Sequence, residues 1–337
     1  MPAAIRTLPV FQRVGLIGSG SWATALTQVA ARRNRKLLWW VKSQDVADRL
    51  RETACNAKYL PEISLNLAGI DFTTDLNDLV QSVDGLMLCL PSAFLSQTLR
   101  QTDAPWPEQM RVLSFIKGLE PDTGHTIGEY LHSTYGVAPE HFAVVSGPSH
   151  AEEVAQGAVT YLTAASDAPD LAQAVADYLA SPILHITPSE SVRAVEYAGV
   201  LKNIYTVGAG MAVGLGYGDN FLAVYLGGCL REMRRFFVER DLCPIERLSD
   251  SAFLGDLLAT AYSPYSRNRK FGLLMGQGSS TAEALAQMPM VAEGYYAARL
   301  MVEKQGYDQP IARLIYEALY RRVHPQDVFR EIELILR

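Results

Sequence analysis

The sequence predicts an α/β domain built on a doubly wound, mostly parallel sheet (residues 1–190), followed by an all-α domain (191–337). Three observations carry this prediction. Short apolar runs alternate with helical patterns through the first half, as in parallel strands joined by helical crossovers. The first of these runs ends in a glycine turn that opens into a helix. Beyond about residue 190 strand signals fade and long helical patterns replace them. A chain of 337 residues is long enough for two such cores.

The elements follow in order. "RVGLIG" (13–18) reads as a strand, "SWATALTQVAARRN" (21–34) as a helix, "KLLWWV" (36–41) as a second strand and "QDVADRLRET" (44–53) as a second helix. "GLMLCLP" (85–91), "RVLSFIK" (111–117) and "FAVVSGP" (142–148) continue the strands, with "SAFLSQTLRQT" and "HTIGEYLHSTY" as helices between them. "TYLTAAS" (160–166), "DLAQAVADYLA" (170–180) and "ILHITPS" (183–189) complete the α/β half. The second half is helical over "SVRAVEYAGVLKNIYTVGAGMAVGL", "DNFLAVYLGGCLREMRRFFVERD", "TAEALAQ", "VAEGYYAARLMVEKQG" and "PIARLIYEALYRRV". Neither an internal repeat nor a low-complexity segment interrupts this order.

Composition narrows the function. Hydrophobic residues make up 49% and charged residues 20%, the balance of a soluble globular protein. A net charge of −6 argues against bulk nucleic-acid binding, and Arg231, Arg234 and Arg235 read as a solvated helix face. The four cysteines are scattered without a CxxC pair, which suits a reducing cytoplasm and offers no thiolate metal site. The six histidines form no HxxxH or HExxH pair, so no metal is expected. "MPAAIRTLPVFQR" has no apolar core of a secretory signal. Only 197–217 approaches membrane-span length, and Lys202 and Asn203 near its middle favour a buried core helix.

"GLIGSGSWATAL" contains Gly18-x-Gly20-x-x-Ala23 between the first strand and the first helix. The first glycine permits the tight turn, the second lets backbone approach a pyrophosphate, and the small third residue lets helix and strand pack closely. This is the arrangement of a Rossmann dinucleotide site, with phosphates on the helix N-terminus. At the end of the second strand an acid would hold the ribose hydroxyls of NAD, and a basic residue would accommodate the 2′-phosphate of NADP. The chain reads "WWVKSQD", with Lys42 and Ser43 there and Asp45 slightly late, which leans towards NADP or dual use. A simply solvated Lys42 is the other reading.

Lys202 sits inside the apolar stretch "YAGVLKNIYTVGAG". Burying an unpaired ammonium is unfavourable, so this lysine either snorkels to solvent or serves a ligand. Its helical neighbours are Ala198, Gly199, Tyr205 and Thr206; three are small and leave room beside the ammonium.

Several segments together resemble the NAD(P)-dependent glycerol-3-phosphate dehydrogenases, particularly the bacterial type. They are "GSGSWATAL" (18–26), "NAKYLP" (56–61), "IKGLEPDTG" (116–124), "SGPSHAEEVAQG" (146–157), "EYAGVLKNIYTVGAGMAVGLGYGDN" (196–220), "LGDLLAT" (254–260), "SRNRKFG" (266–272) and "VAEGYY" (291–296). The resemblance implies interconversion of dihydroxyacetone phosphate and sn-glycerol 3-phosphate, a glycerophospholipid precursor, with NAD or NADP and without a metal. It also implies a cytoplasmic homodimer. Lys202 resembles the family's proton donor and acceptor at C2, Lys117 a lysine touching both substrate and cofactor, and Asp256 an acid that orients or balances Lys202. Gly147, Ser149, Asn203, Ser266, Arg267 and Asn268 resemble substrate-binding positions, with Arg267 suited to phosphate by its planar fork. Gly18, Gly20, Ser21, Trp22, Lys42, Ala151, Arg267, Val291 and Glu293 resemble cofactor positions.

The chain departs from the family pattern in three places. Ala23 replaces a glycine, "GGCL" (227–230) stands where T-R-G-L is common, and "DSAFLGD" (250–256) stands where "GLAGLGD" is common. Two rivals remain open at this point. Ketopantoate and hydroxy-acid reductases also use a helix lysine, although "SGPS" with "SRNRKFG" does not belong to their patterns. A non-catalytic dinucleotide sensor on the same fold would be expected to have lost Lys202 or Arg267.

Overall fold

A computed structural model describes residues 11–288 and 290–337, so the reading of residues 1–10 lies outside it. β1 (Val14–Ile17), β2 (Leu37–Trp40) and β6 (Gly85–Leu88) are buried along their length, as continuous apolar runs require of parallel strands covered on both faces. β5 (Ile70–Thr73), β7 (Arg111–Ser114), β8 (Phe142–Ser146), β9 (Thr160–Ala165) and β10 (Leu184–Ser189) join them. The eight strands are ordered β10-β9-β8-β7-β6-β1-β2-β5. Helices α1 (Ser21–Arg32), α2 (Gln44–Thr53), α3 (Leu76–Ser82), α4 (Leu95–Leu99), α5 (Ile127–Tyr135), α6 (Ala151–Gln156) and α7 (Pro169–Leu179) connect the strands. The winding direction reverses between β1 and β6, and the crevice beyond their carboxyl ends is where such sheets bind ligands.

One pairing departs from the parallel expectation: β9 runs antiparallel to β8. Its connection holds only α6, which at about 1.5 Å per residue is roughly 9 Å long. So short a helix does not carry the chain back along the sheet, and β9 re-enters from the same end. The edge strand β5, α3, and the small antiparallel pair of β3 (Cys55–Asn56) and β4 (Leu60–Ser64) were not among the predicted elements. Their sequences mix polar and apolar residues without a sustained period.

The rest of the chain is helical: α8 (Val192–Gly214), α9 (Asp219–Glu239), α10 (Asp256–Tyr262), α11 (Arg267–Gly276), α12 (Thr281–Ala286), α13 (Glu293–Glu303), α14 (Pro310–Tyr320) and α15 (Pro325–Leu336). Every residue of α8 from Ala194 to Ala212 is buried, so the helix is apolar all round and forms the domain's axis. It meets α11 backbone to backbone. A Cβ on Gly210 would fall on the Arg269 carbonyl, and one on Gly272 on the Val207 carbonyl. Among the described residues, no helix is long and apolar enough to cross a membrane.

Candidate active site

The glycine turn is built by leaving side chains out. Gly18 has φ +121°, and a Cβ there would fall on the Cys89 carbonyl just past β6. The Trp39 indole donates to the Gly18 carbonyl at 2.6 Å, tying the turn to β2. Nothing lies within 4 Å of where a Gly20 Cβ would stand, and the first turn of α1 carries neither an acid nor a side-chain cap. Those backbone donors suit a pyrophosphate, so the residues present fit a dinucleotide. Asn56 braces the turn, donating to Ser19 O at 3.0 Å and Thr24 Oγ1 at 2.7 Å. Ser21 and Trp22 are half-buried beside it, the Trp22 ring 6.1 Å from Phe115. Lys42 is exposed just beyond β2. Asp45, the late acid, is engaged by Arg49 one turn along α2.

Three segments distant in sequence meet across the sheet's carboxyl edge. Lys117, three residues past the end of β7, donates to Gly147 O and to Asp256 Oδ2, both at 2.8 Å. Lys202, from the middle of α8, donates to Asp256 Oδ1 at 2.6 Å and to Thr260 Oγ1 at 2.8 Å. Asp256 is the first residue of α10 and its side chain is 1% exposed; those of Lys202 and Lys117 are 7% and 23% exposed. One carboxylate therefore serves two ammonium groups, leaving a net positive charge in a buried place.

The consequences for protonation differ between partners. Burial pushes the Asp256 carboxyl upward, but Lys117 and Lys202 outweigh it and hold the group below its ordinary range. Burial depresses the Lys202 ammonium; Asp256 opposes that effect and Lys117 adds to it, leaving the lysine at about 7. A group balanced there exchanges a proton readily near neutrality.

The two asparagines that resemble substrate ligands are engaged within the protein. Asn203 donates to the Lys117 carbonyl at 3.0 Å, Asn268 donates to Asn203 Oδ1 at 2.9 Å, and the Gly294 amide donates to Asn268 Oδ1 at 2.9 Å. Ser266 caps α11 by accepting from the Arg269 amide. Glu293 opens α13 and accepts from the Ser92 amide at 3.2 Å and its hydroxyl at 3.4 Å. Shielding from water raises its carboxyl, and Arg267 counteracts that rise.

Three of the helical neighbours of Lys202 meet other protein groups. Gly199 faces the stem of Lys117, whose Cβ and Cγ would lie 3.4 Å from an added side chain. The Thr206 hydroxyl returns to the Lys202 carbonyl, and the Tyr205 hydroxyl turns away to Glu232 and Tyr307. Gly147 and Ala151 are buried; Ser149 is half-buried, its hydroxyl donating to the Gly147 carbonyl. Val291 is half-buried at the entrance to α13. Arg267 stands outside the cluster's hydrogen bonds: it is exposed, and among the described residues its side chain makes one hydrogen bond, from Nη1 to Met290 Sδ at 3.9 Å. Thr260, Ser92 and Asn56 were not named from sequence. Thr260 could have been found, because it stands one helical turn from Asp256. Among the described residues no group of three His, Cys, Asp or Glu could hold a metal ion.

A sheet whose switch point opens on bare backbone donors, with a buried lysine–carboxylate cluster at its carboxyl edge, is the arrangement of a nicotinamide-dependent oxidoreductase. The comparisons agree. A model described as the N-terminus of NAD-dependent glycerol-3-phosphate dehydrogenase matches residues 13–172, and its C-terminal counterpart matches 191–330. The chain belongs to the NAD-dependent glycerol-3-phosphate dehydrogenase family. It is 32% identical over 331 residues to glycerol-3-phosphate dehydrogenase [NAD(P)+] of Halothermothrix orenii, covering 96% of this chain and 94% of that protein. The corresponding protein of Macrococcus caseolyticus is 34% identical over 314 residues, covering 91% and 93%. The crystal structure of glycerol-3-phosphate dehydrogenase from Coxiella burnetii superposes with a TM-score of 0.88 at 27% identity, covering 96% of this chain and 99% of that one.

Proposed function

We propose that this protein interconverts dihydroxyacetone phosphate and sn-glycerol 3-phosphate, with Lys202 exchanging the proton at the C2 oxygen. The Lys117–Asp256–Lys202 cluster carries the reading, because a buried lysine held near neutrality has little use in a binding-only module. When bound, the reduced cofactor NAD(P)H would supply the hydride to C2, and the oxidised form NAD(P)+ would accept it in the reverse direction. In the reductive direction the Lys202 ammonium faces the ketone oxygen, polarises it and releases its proton as negative charge develops there. Asp256 holds that ammonium in place through Oδ1, and Lys117 through Oδ2. Lys117 also fixes the Gly147 turn by donating to its carbonyl.

Arg267, in no ion pair among the described residues, is the proposed phosphate ligand. The amides of Asn203 and Asn268 are committed to Lys117 and Gly294, so we assign them to positioning rather than to direct substrate contact. Gly18, Gly20, Ser21 and Trp22 receive the dinucleotide, with Lys42 at its adenosine end and Ala151, Val291 and Glu293 nearer the nicotinamide. A homodimer in the cytoplasm is the proposed setting, on the family resemblance.

The test is oxidation of NADH and of NADPH with dihydroxyacetone phosphate. Turnover with either supports the reading. Tight nucleotide binding with no turnover would make the chain a dinucleotide sensor instead.

A further inference from the structure

One of the departures from the family pattern, at 250–256, lies in the segment that delivers Asp256 to the lysines. Residues Ser251–Gly255 form a single π-helical turn that runs straight into α10. Such wide turns are rare and frequently sit at functional sites. This one is fastened from three directions. The Ser251 hydroxyl pairs with Thr163 Oγ1 of β9 at 3.0 Å, which ties the turn to the sheet. Phe253 is 1% exposed and meets Phe237 of α9 edge-to-face, ring centres 5.7 Å apart. Gly255 lies against the Pro148 ring, 3.7 Å from where its Cβ would stand. In the pattern quoted above, position 253 is a glycine; here a large aromatic ring locks the turn into the core instead.

We propose that Phe253 is a positioning residue, whose docking on Phe237 sets where the Asp256 carboxylate stands between Lys117 and Lys202. Asp256 has no freedom of its own beyond this turn, because both its oxygens are engaged. The charged groups facing it are Lys117 from the segment after β7 and Lys202 from α8, with Thr260 of α10 a neutral partner. Glu293 of α13 lies within electrostatic reach of Lys202. Lys202 is the more deeply buried of the two ammonium groups and has less water to replace a weakened contact, so its protonation responds more strongly to a displaced carboxylate. The inference rests on the reading of Lys202 as the proton donor.

The experiment is the pH profile of dihydroxyacetone phosphate reduction by Phe253→Leu, Ser251→Ala and Lys202→Ala in the full-length protein, with thermal unfolding measured alongside. A weaker carboxylate lowers the lysine, so the alkaline fall in kcat should move to lower pH by about half a unit or more in Phe253→Leu. Ser251→Ala should shift it less, and KM for dihydroxyacetone phosphate should change less than about threefold, because Arg267 is untouched. If Phe253→Leu does not fold, Phe253→Met, which keeps more of the volume, carries the same reading. A folded Phe253 variant whose midpoint matches that of the wild type overturns the proposal, even if it melts earlier. Full activity in Lys202→Ala is a different failure, because it removes the proton-donor reading itself.

Discussion

At the Gly18 turn the sequence withholds side chains so that backbone can approach a ligand; at the Lys202 cluster side chains supply all of the chemistry. The first region is contiguous, has no charged group in its first helical turn, and depends on one left-handed residue pressed against Cys89. The second draws Lys117, Lys202 and Asp256 from three segments, each satisfied by hydrogen bonds before any substrate arrives. The turn should therefore fail by geometry and the cluster by charge. Damage to one should leave the other's signature intact.

The largest expected effect is on the charge side. Lys202→Ala should lower kcat by about a hundred- to ten-thousandfold while leaving the dissociation constant for NAD(P)H, read by fluorescence titration, nearly unchanged. Near-normal kcat would break the contrast. On the geometry side, Gly18→Ala should weaken dinucleotide binding by about tenfold or more and lower the melting temperature, since strain of about 1–3 kcal/mol accompanies such a residue. Binding calorimetry that finds wild-type affinity would show that the turn yields more than its contacts suggest.

Arg267→Lys should raise KM for dihydroxyacetone phosphate by about tenfold with kcat little changed, because a point charge does not replace a planar fork. An unaltered KM would move the phosphate elsewhere. The pH dependence follows from the depressed Lys202. Reduction needs the ammonium, so its rate is full below about 7 and is lost as pH rises through that value; oxidation of glycerol 3-phosphate needs the free amine and gains over the same interval. Profiles that move in the same direction for both reactions would contradict the assignment. The smallest effect concerns cofactor choice. Lys42→Asp should move the ratio of kcat/KM for NADPH over NADH several-fold towards NADH, and a constant ratio would mean that Lys42 is only solvated.

The same contrast explains how much could be read in advance. The strands β1, β2 and β6 are unbroken apolar runs, and α8 carries an apolar surface all round, so both announce themselves through composition. Gly18, Gly20 and Ala23 are visible because their spacing is local. The pairing of Asp256 with Lys202 came from motif resemblance alone, and the second pairing of Asp256, with Lys117, was not read at all, since nothing local reveals contacts over such separations. The antiparallel return of β9 was hidden because strand direction depends on the length of the crossover, not on the strand's own residues. Asn203 and Asn268 look like ligands in sequence because an amide's partner, here the Lys117 carbonyl or the Gly294 amide, is set by tertiary packing.

The seam between α8 and α11 has a consequence for the spacing of the site. Gly210 and Gly272 bring the two backbones into contact, so the helices are packed against each other without intervening side chains. Lys202 rides on one of them and Arg267 begins the other. On the proposed assignment, the reacting oxygen and the phosphate are held by two helices fastened to each other, so the span between them is set by a packed seam and not by a loop.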